Sequence, residues 1–223
     1  MKALIFDSGP LINFSMSGLL YLLEELKKRF QGKFFITEQV KYETIDRPIK
    51  VPKFELGALM IKNLLAKKII ELPSFPGIDS ELIKKQTSFF MKKANNSMEA
   101  GGREINILSE GECSCLALSS ELSKIKIENI IAIDERTTRI LTESPRNLEE
   151  FMSKKLNTKV NFIGDLNTFK NFKFIRSTEL VYVAYKKGLL KIEDPNVLEA
   201  ALYAAKFHGS SISFEEINTL KKL

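Results

Sequence analysis

The sequence is poor in the residues that build histidine and cysteine sites. It has one histidine, His208, among 223 residues, which excludes a catalytic histidine pair, a histidine-rich zinc site and the two-histidine iron site of oxygenases. His208 stands directly before Gly209, where we expect a helix to end. The only cysteines, Cys113 and Cys115, point to different sides of a predicted helix, so neither a disulfide between them nor a four-cysteine metal site is expected.

Long apolar segments are also absent from the sequence. No run approaches the roughly 18 residues that a membrane-spanning helix needs. The apolar residues 3–6 are followed at once by Asp7, which is too early a charge for a secretion signal. With 44% hydrophobic and 28% charged residues, the composition is typical of a globular protein, and the length suits one domain with an appendage or two small domains. We therefore expect a cytoplasmic protein without membrane contact.

Positive charge exceeds negative charge in this chain. Lysine and arginine number 34, aspartate and glutamate number 28, and the formal net charge is +6, with a pI near 9.1. Such an excess favours polyanionic partners and carries no information about the fold.

Short runs that favour β-strands alternate with amphipathic helical segments along the chain. Strands are predicted at residues 2–6, 34–36, 130–133, 160–163 and 172–175, with a short strand or extended link at 69–72 and a mobile loop at 95–102. This alternation predicts an α/β fold with three layers, in which helices cover both faces of a central, mostly parallel sheet and extra helices follow at the C-terminal end.

Four acidic residues stand where this fold can bring them together. Asp7 follows the first predicted strand and Asp134 the third, so both belong at the carboxyl-end edge of a parallel sheet. Neighbouring strands are about 4.8 Å apart, which lets two carboxylates share one hard cation. Glu43 lies in the helix after the second strand and Glu112 in the first turn of a later helix. Because such a cluster would repel itself, it predicts bound Mg²⁺ or Mn²⁺.

Each acid also has a purely structural interpretation. Asp7 can form the turn at Ser8-Gly9-Pro10, and Asp134 can cap the helix that follows it. Glu43 and Glu112 can be ordinary helix glutamates, the latter as a partner of the helix dipole. The order in which the four acids occur is more informative than any one of them.

Several short motifs occur in a characteristic order. They are Asp7-Ser8, Glu43, Gly111-Glu112 with Leu116-Ala117-Leu118, and Ile133-Asp134-Glu135 with Arg139. Over residues 1–141, this order resembles the PIN-domain ribonuclease family. Residues 174–223 resemble the closing segment of a longer PIN variant, related to VapC-type toxins, through Ser177-Thr178 and Lys186-Lys187-Gly188.

The resemblance implies a PIN-like fold and a ribonuclease that depends on a divalent metal ion. Residues 1–176 would form the catalytic domain, with a helical insertion around 73–108, and residues 177–223 a helical extension packed on it. Asp7 and Asp134 would be primary ligands of Mg²⁺ or Mn²⁺, and Glu43 and Glu112 would bind the ion directly or through water. An in-line attack by water would leave 5′-phosphate and 3′-hydroxyl ends.

The family also implies supporting groups and partners. Ser8 would orient Asp7 or a water molecule, and Glu135, Thr138 and Thr178 are candidates for a further polar group. A homodimer, and an antitoxin or another regulatory protein as partner, are family expectations. The segments 73–102 and 145–172 are extra relative to the compact toxins, so the identity of this chain as a toxin stays open.

RNA would be held by basic side chains, and single-stranded bases can stack on aromatic ones. The candidates for phosphate contacts are Lys84, Lys85, Lys92, Lys93, Arg103 and Arg139. Phe89 and Phe90 lie among these lysines and can either stack on bases or pack in the core, of which packing is the more common role.

Other functions compete with the ribonuclease hypothesis. The main alternative is a PIN-fold protein that binds nucleic acid or regulates a partner without cleaving anything. Phosphatases of the haloacid-dehalogenase type need a second aspartate two residues after the first, and here that position is Gly9. A dinucleotide-binding enzyme is disfavoured because no G-x-G-x-x-G motif follows the first strand.

Overall fold

The fold is described by a computed structural model for residues 1–142, 145–165 and 167–222, with the side chain of Pro145 left aside. The strands are β1 (Lys2–Phe6), β2 (Gly32–Phe35), β3 (Met98–Ala100), β4 (Arg103–Glu104), β5 (Glu128–Ala132), β6 (Val160–Phe162) and β7 (Phe174–Ile175). The helices are α1 (Ser8–Met16), α2 (Tyr21–Arg29), α3 (Glu38–Lys41), α4 (Pro52–Ala66), α5 (Ser80–Asn95), α6 (Glu110–Lys124), α7 (Arg136–Ile140), α8 (Pro145–Leu156), α9 (Ser177–Lys186), α10 (Val197–Phe207) and α11 (Phe214–Leu220). A π-helical turn follows α3 at Tyr42–Asp46, and 3₁₀ turns lie at Pro48–Lys50 and Asn167–Phe169.

A parallel sheet of four strands in the order β2-β1-β5-β7 forms the centre of the fold. Phe6 of β1 lies opposite Ala132 of β5, and Ile5 lies opposite Phe35 of β2. Residues 3–6 are all buried, as expected for a strand whose sheet is covered on both faces. The predicted α/β fold, with a central parallel sheet flanked by helices, is therefore confirmed.

Helix packing connects the sheet to the C-terminal segment. α6 contacts β1 and β5, and most of its residues from Gly111 to Leu122 are buried. α9 packs on α1, α2 and α10. The predicted domain boundary at residue 176 falls between β7 and α9. The segment after this boundary is mostly helical, and its first helix, α9, packs on α1 and α2 of the preceding part.

The prediction of a mobile loop at residues 95–102 was wrong. α5 continues to Asn95, and β3 and β4 then form an antiparallel hairpin in which Ala100 pairs with Arg103. The two residues of its turn are Gly101 and Gly102, with φ angles of 58° and 76°. Tight hairpin turns often require a positive φ at both central residues, which glycine adopts without strain. The pair of glycines was the signal for this hairpin.

The strand predicted at residues 160–163 is present as β6, but it lies outside the central sheet. β6 pairs antiparallel with β3, and together with β4 these strands form a second sheet in the order β4-β3-β6. Residues 69–72 contribute a single parallel bridge between Glu71 and Phe35 rather than a strand. The strands predicted at 2–6, 34–36, 130–133 and 172–175 do lie in the central sheet, within a few residues at their ends.

Three smaller features concern a helix end, the cysteines and the lengths of the helices. His208 directly follows α10, and its backbone N–H donates to Ala204 O at 3.1 Å, so it does stand at a helix end. Cys113 and Cys115 are buried free thiols. Within residues 1–142, 145–165 and 167–222, no helix has both the length and the apolar character to cross a membrane.

Candidate functional site

Asp7 and Asp134 lie at the same edge of the central sheet. Asp7 directly follows β1, Asp134 comes two residues after β5, and the backbone N–H of Asp7 donates to Ala132 O at 3.0 Å. Gly9 lies between the two acids, since a Cβ atom there would stand 3.5 Å from Asp7 Oδ2 and 3.6 Å from Asp134 Cβ. The parallel pairing of β1 with β5 thus places the two acids as the sequence suggested.

The carboxyl group of Asp7 is buried and only partly satisfied. Asp7 caps α1, with Oδ2 accepting the backbone N–H of Gly9 at 3.3 Å, so its structural role as a turn former is also present. Oδ1 is buried without a hydrogen-bond partner among the described residues. Burial and repulsion from Glu112 and Glu43 raise the pKa of Asp7 to about 7, against hydrogen bonds from the backbone of Ser8 and Gly9. Asp7 Oδ1 is therefore a lone acceptor suited to a cation or a proton.

Glu43 reaches the first turn of α6 from a π-helical turn. Its Oε1 atom accepts a hydrogen bond from Gln39 Nε2 at 3.0 Å. Its carboxylate lies over Gly111, where a Cβ atom would come within 2.5 Å of Oε2 and 2.9 Å of Oε1. Glycine at position 111 is what permits this approach. Single π-helical turns are frequent at functional sites, and a helix N-terminus stabilises a nearby carboxylate.

Glu112 is held from two sides by hydrogen bonds. Ser109 and Glu112 form a capping box at the start of α6, in which the Ser109 backbone N–H donates to Glu112 Oε2 at 2.7 Å. The buried hydroxyl of Thr138 donates to Glu112 Oε1. The helix-terminal role considered for Glu112 is therefore real. Thr138, predicted as a supporting residue, fixes the direction of its carboxylate.

Asp134 accepts hydrogen bonds from three separate parts of the chain. Oδ1 accepts the backbone N–H of Ser177 and the hydroxyl of Ser210, each at 2.9 Å. Oδ2 accepts Asn13 Nδ2 at 3.2 Å. Burial raises the pKa of Asp134, and these hydrogen bonds oppose that rise by stabilising the ionised form. Asp134 thus joins α1, α9 and the segment after α10 at the end of the sheet.

The remaining supporting candidates take different positions. Ser8 begins α1 beside Asp7, and Thr178 is buried with its Oγ1 atom 3.4 Å from Ser210 Oγ. Glu135 caps α7 and accepts Lys155 Nζ at 3.1 Å. The alternative role of Asp134 as the cap of this helix was therefore wrong, because Glu135 fills it. The hydroxyl of Thr178 is linked to Asp134 through Ser210.

Most of the predicted phosphate contacts are exposed side chains. This holds for Lys84, Lys85, Lys92, Lys93 and Arg103. Lys84 lines a cavity of about 440 Å³ that also contacts Gln39, the partner of Glu43. Phe90 packs in the core against Phe169 and Phe172, which excludes it as a stacking platform. Arg139 turns toward Ser211, with Nη2 donating to the Ser211 hydroxyl at 2.6 Å.

The acids approach one another without forming a closed cage of metal ligands. Glu43 and Glu112 both raise the pKa of Asp7, and the three carboxylates raise the pKa of the buried thiol of Cys115 after burial itself. Within the part of the chain that the structure describes, none of the four acids makes an ion pair with a basic side chain. In that same part, no three histidine, cysteine, aspartate or glutamate side chains stand close enough together to hold one ion as they are placed.

Two important residues of this site were missed by sequence reasoning. Asn13 and Ser210 fix Asp134, yet neither belongs to a recognisable motif. The sequence does contain one indication for Asn13. It is a polar amide among the apolar residues Leu11, Ile12 and Phe14, and such a group is unusual on a buried helix face unless it has a hydrogen-bond partner. The sequence contains none for Ser210, because its role depends on how α10 returns to the sheet.

Comparisons with protein-family models, curated proteins and solved structures found no match to this chain. The functional conclusion therefore rests on the order of the motifs and the geometry of the site.

Proposed function

We propose that this chain is a cytoplasmic ribonuclease that depends on a divalent metal ion. Its active site, which hydrolyses phosphodiester bonds of RNA, would be formed by Asp7, Glu43, Glu112 and Asp134. The observation that carries the proposal is Asp7 Oδ1, a buried carboxylate oxygen that has no donor among the described residues and lies near the carboxylates of Glu112 and Glu43. Burying mutually repelling acids is costly unless a cation or a proton neutralises them. The strand-end position of Asp7 matches the motif order of the PIN family.

The donor set fits Mg²⁺ or Mn²⁺, because every group in it is a hard oxygen ligand. Asp7 and Glu43 would bind the ion directly. Glu112 would act through water, and so would Asp134, in place of the primary role that the resemblance implies. The oxygens of both acids already accept hydrogen bonds from protein groups. When bound, the ion would lower the pKa of a coordinated water and neutralise charge on the phosphodiester.

The chain itself supplies positions and charges for this chemistry. Thr138 and Ser109 hold Glu112, and Gly111 lets Glu43 reach the start of α6. Hydrogen bonds from Asn13, Ser177 and Ser210 orient Asp134 and favour its ionised form. The net charge of +6 would attract RNA to the protein. No histidine base is needed in such a site.

RNA cleavage by purified protein tests the proposal. Labelled single-stranded RNA should be cut with Mn²⁺ or Mg²⁺ present, leaving 5′-phosphate ends, and should stay intact in EDTA. Asp7→Asn and Glu43→Gln should abolish cleavage, whereas the matched changes Asp165→Asn and Glu104→Gln, at exposed acids outside the site, should not. Cleavage that persists in EDTA, or in both site variants, would contradict the metal mechanism.

A second candidate function is a PIN-fold protein that binds or regulates RNA without cutting it. Two observations favour it. Among the described residues, no three metal-ligating side chains lie close enough together to bind one ion, and the carboxylates of Glu112 and Asp134 already accept hydrogen bonds from the protein. RNA binding with no cleavage at any metal concentration would select it. The family resemblance implies a homodimer and a regulatory or antitoxin partner for both candidate functions. Sedimentation of the purified chain would test the homodimer.

A further inference from the structure

A second cavity has a strongly basic lining. It has a volume of about 670 Å³ and lies between α7, the end of α10 and the segment leading into α11. Four basic side chains and one acidic side chain line it, which gives a net of three positive charges. They are Arg136, Arg139, Arg176, Lys206 and Glu216.

The charges of this cavity are unevenly neutralised. Arg176 pairs with Glu179 at 2.7 Å and with Glu216 at 2.8 Å, so the one acid of the lining is already taken. Arg139 makes no ion pair within the described residues, and its Nε atom is buried there without an acceptor. Burial and the neighbouring Arg176 lower the pKa of Arg139. Two guanidinium groups side by side, one of them unpaired, favour a bound anion.

Arg136 and Lys206 add positive charge to the lining, and neither makes an ion pair within the described residues. Arg136 is exposed and its guanidinium lies over the ring of Phe151, 5.1 Å from the centroid. Lys206 Nζ donates to Ile212 O and stands 4.5 Å above the ring of Phe214. These contacts fix the direction of both side chains and leave their charge in place. An incoming anion would therefore meet oriented donors.

The cavity also carries an exposed aromatic ring. Phe207 lines it and is 71% exposed. Its ring is held by Tyr203, with ring centroids 6.2 Å apart and an angle of 22° between the planes. An aromatic face at the rim of a basic cavity is the arrangement with which proteins stack a nucleobase beside its phosphate.

We propose that this cavity binds one nucleotide, with Arg136, Arg139 and Lys206 holding its phosphate and Phe207 stacking on its base. Its volume lies in the usual range for small-ligand pockets, roughly 300–1,000 Å³. The inference needs neither a metal ion nor cleavage, so it stands apart from the proposed nuclease chemistry.

The cavity is directly connected to Asp134. Ser211 accepts a hydrogen bond from Arg139 and its own hydroxyl donates to Asp134 O at 2.5 Å, while the adjacent Ser210 donates to Asp134 Oδ1. A nucleotide bound here would therefore lie one residue away from a proposed metal-site acid. In a nuclease, it would position the strand beside the reacting phosphate.

Calorimetric titration of the full chain in EDTA tests this site. The probes are adenosine 5′-monophosphate, inorganic phosphate and adenosine. The monophosphate should bind more tightly than phosphate, and adenosine should bind far more weakly than either. Arg136→Gln and Arg139→Gln should weaken binding of both anions roughly 10- to 100-fold. Arg136 is exposed, so its variant keeps the test valid if Arg139→Gln fails to fold.

Two matched variants separate the site from general attraction. Arg146→Gln removes an exposed charge outside the cavity and should change nothing, and Phe54→Ala serves as the same control for an exposed ring. Phe207→Ala should weaken the binding of the monophosphate roughly tenfold and leave the binding of inorganic phosphate unchanged. The proposal is overturned if neither anion binds or if Arg146→Gln weakens binding as much as Arg136→Gln. It is also overturned if adenosine 5′-monophosphate binds no more tightly than inorganic phosphate.

Discussion

The carboxylate of Glu43 lies so close to Gly111 that no other residue fits there without moving it. A Cβ atom at position 111 would stand 2.5 Å from Glu43 Oε2. The obstacle is the end of a flexible side chain, so the protein can adjust by swinging Glu43 away. The glycine therefore serves the placement of the acid more than the stability of α6.

Gly111→Ala should separate function from stability. The free energy of unfolding should hold or rise slightly, because alanine favours a helix over glycine by about 1 kcal/mol. The affinity for Mn²⁺, measured by calorimetry, should fall roughly 10- to 100-fold as Glu43 is displaced. Gly57→Ala is the control, because Gly57 is a helix glycine outside the site whose Cβ would likewise meet the end of a side chain, Ser15 Oγ at 2.8 Å. Equal Mn²⁺ affinity in both variants would show that Glu43 does not hold the ion.

Thr138 should influence the affinity for Mn²⁺ only by its hydrogen bond to Glu112. Thr138→Val keeps the volume and removes the donor to Glu112 Oε1, so Mn²⁺ affinity should fall roughly tenfold and stability by about 1 kcal/mol. Thr138→Ser should restore both. Thr87→Val removes a comparable buried hydroxyl in α5, which donates to Ile83 O, and should cost stability without touching the affinity. A loss of affinity in both valine variants would indicate general destabilisation instead.

The frame of this site could be predicted from the sequence because it depends on short-range patterns. Runs such as residues 2–6 mark buried strands, and the acids that follow them meet wherever the strands pair in parallel, as β1 and β5 do. The hairpin at Gly101-Gly102 was equally visible in principle and was missed.

The details that decide how the acids act could not be predicted in the same way. Asn13 and Ser210 reach Asp134 across 121 and 76 residues of chain, a relation that no local pattern encodes. The π-helical turn that aims Glu43 at Gly111 has no sequence signature known to us. Similarly, β6 has an ordinary strand pattern, and only the fold decides that it pairs with β3.

Asp134→Asn should damage the fold as well as any activity. Asn13 Nδ2 donates both to Asp134 Oδ2 and to Ala205 O. In the variant, the side-chain NH₂ group at position 134 would replace Oδ2 and face the NH₂ group of Asn13, so two donors would meet without an acceptor. The free energy of unfolding should fall by about 1–3 kcal/mol in urea titrations. Asp165→Asn, at an exposed acid, should leave it unchanged. If Asp134→Asn is as stable as the parent, the three donors do not depend on its charge.

The stability of the protein without metal should depend on pH through Asp7. In the unfolded chain its pKa is the ordinary 3.8, whereas in the folded chain burial first, then Glu112, raises the pKa to about 7. The unfolded chain therefore releases this proton at lower pH, and ionisation favours unfolding. The contribution of Asp7 to stability is fully present below pH 3.8 and is lost as the pH rises through about 7.

Asp7→Asn removes this dependence, because an amide does not ionise. In EDTA at pH 8, the variant should be more stable than the parent by up to about 4 kcal/mol, and the difference should shrink toward pH 4 in denaturant titrations. Excess Mn²⁺ at pH 8 should reverse the order by stabilising only the parent, since a ligand that binds the folded state alone raises its stability. A difference that stays constant with pH would mean that Asp7 is not buried beside Glu112, and stabilisation of both proteins by Mn²⁺ would place the ion elsewhere.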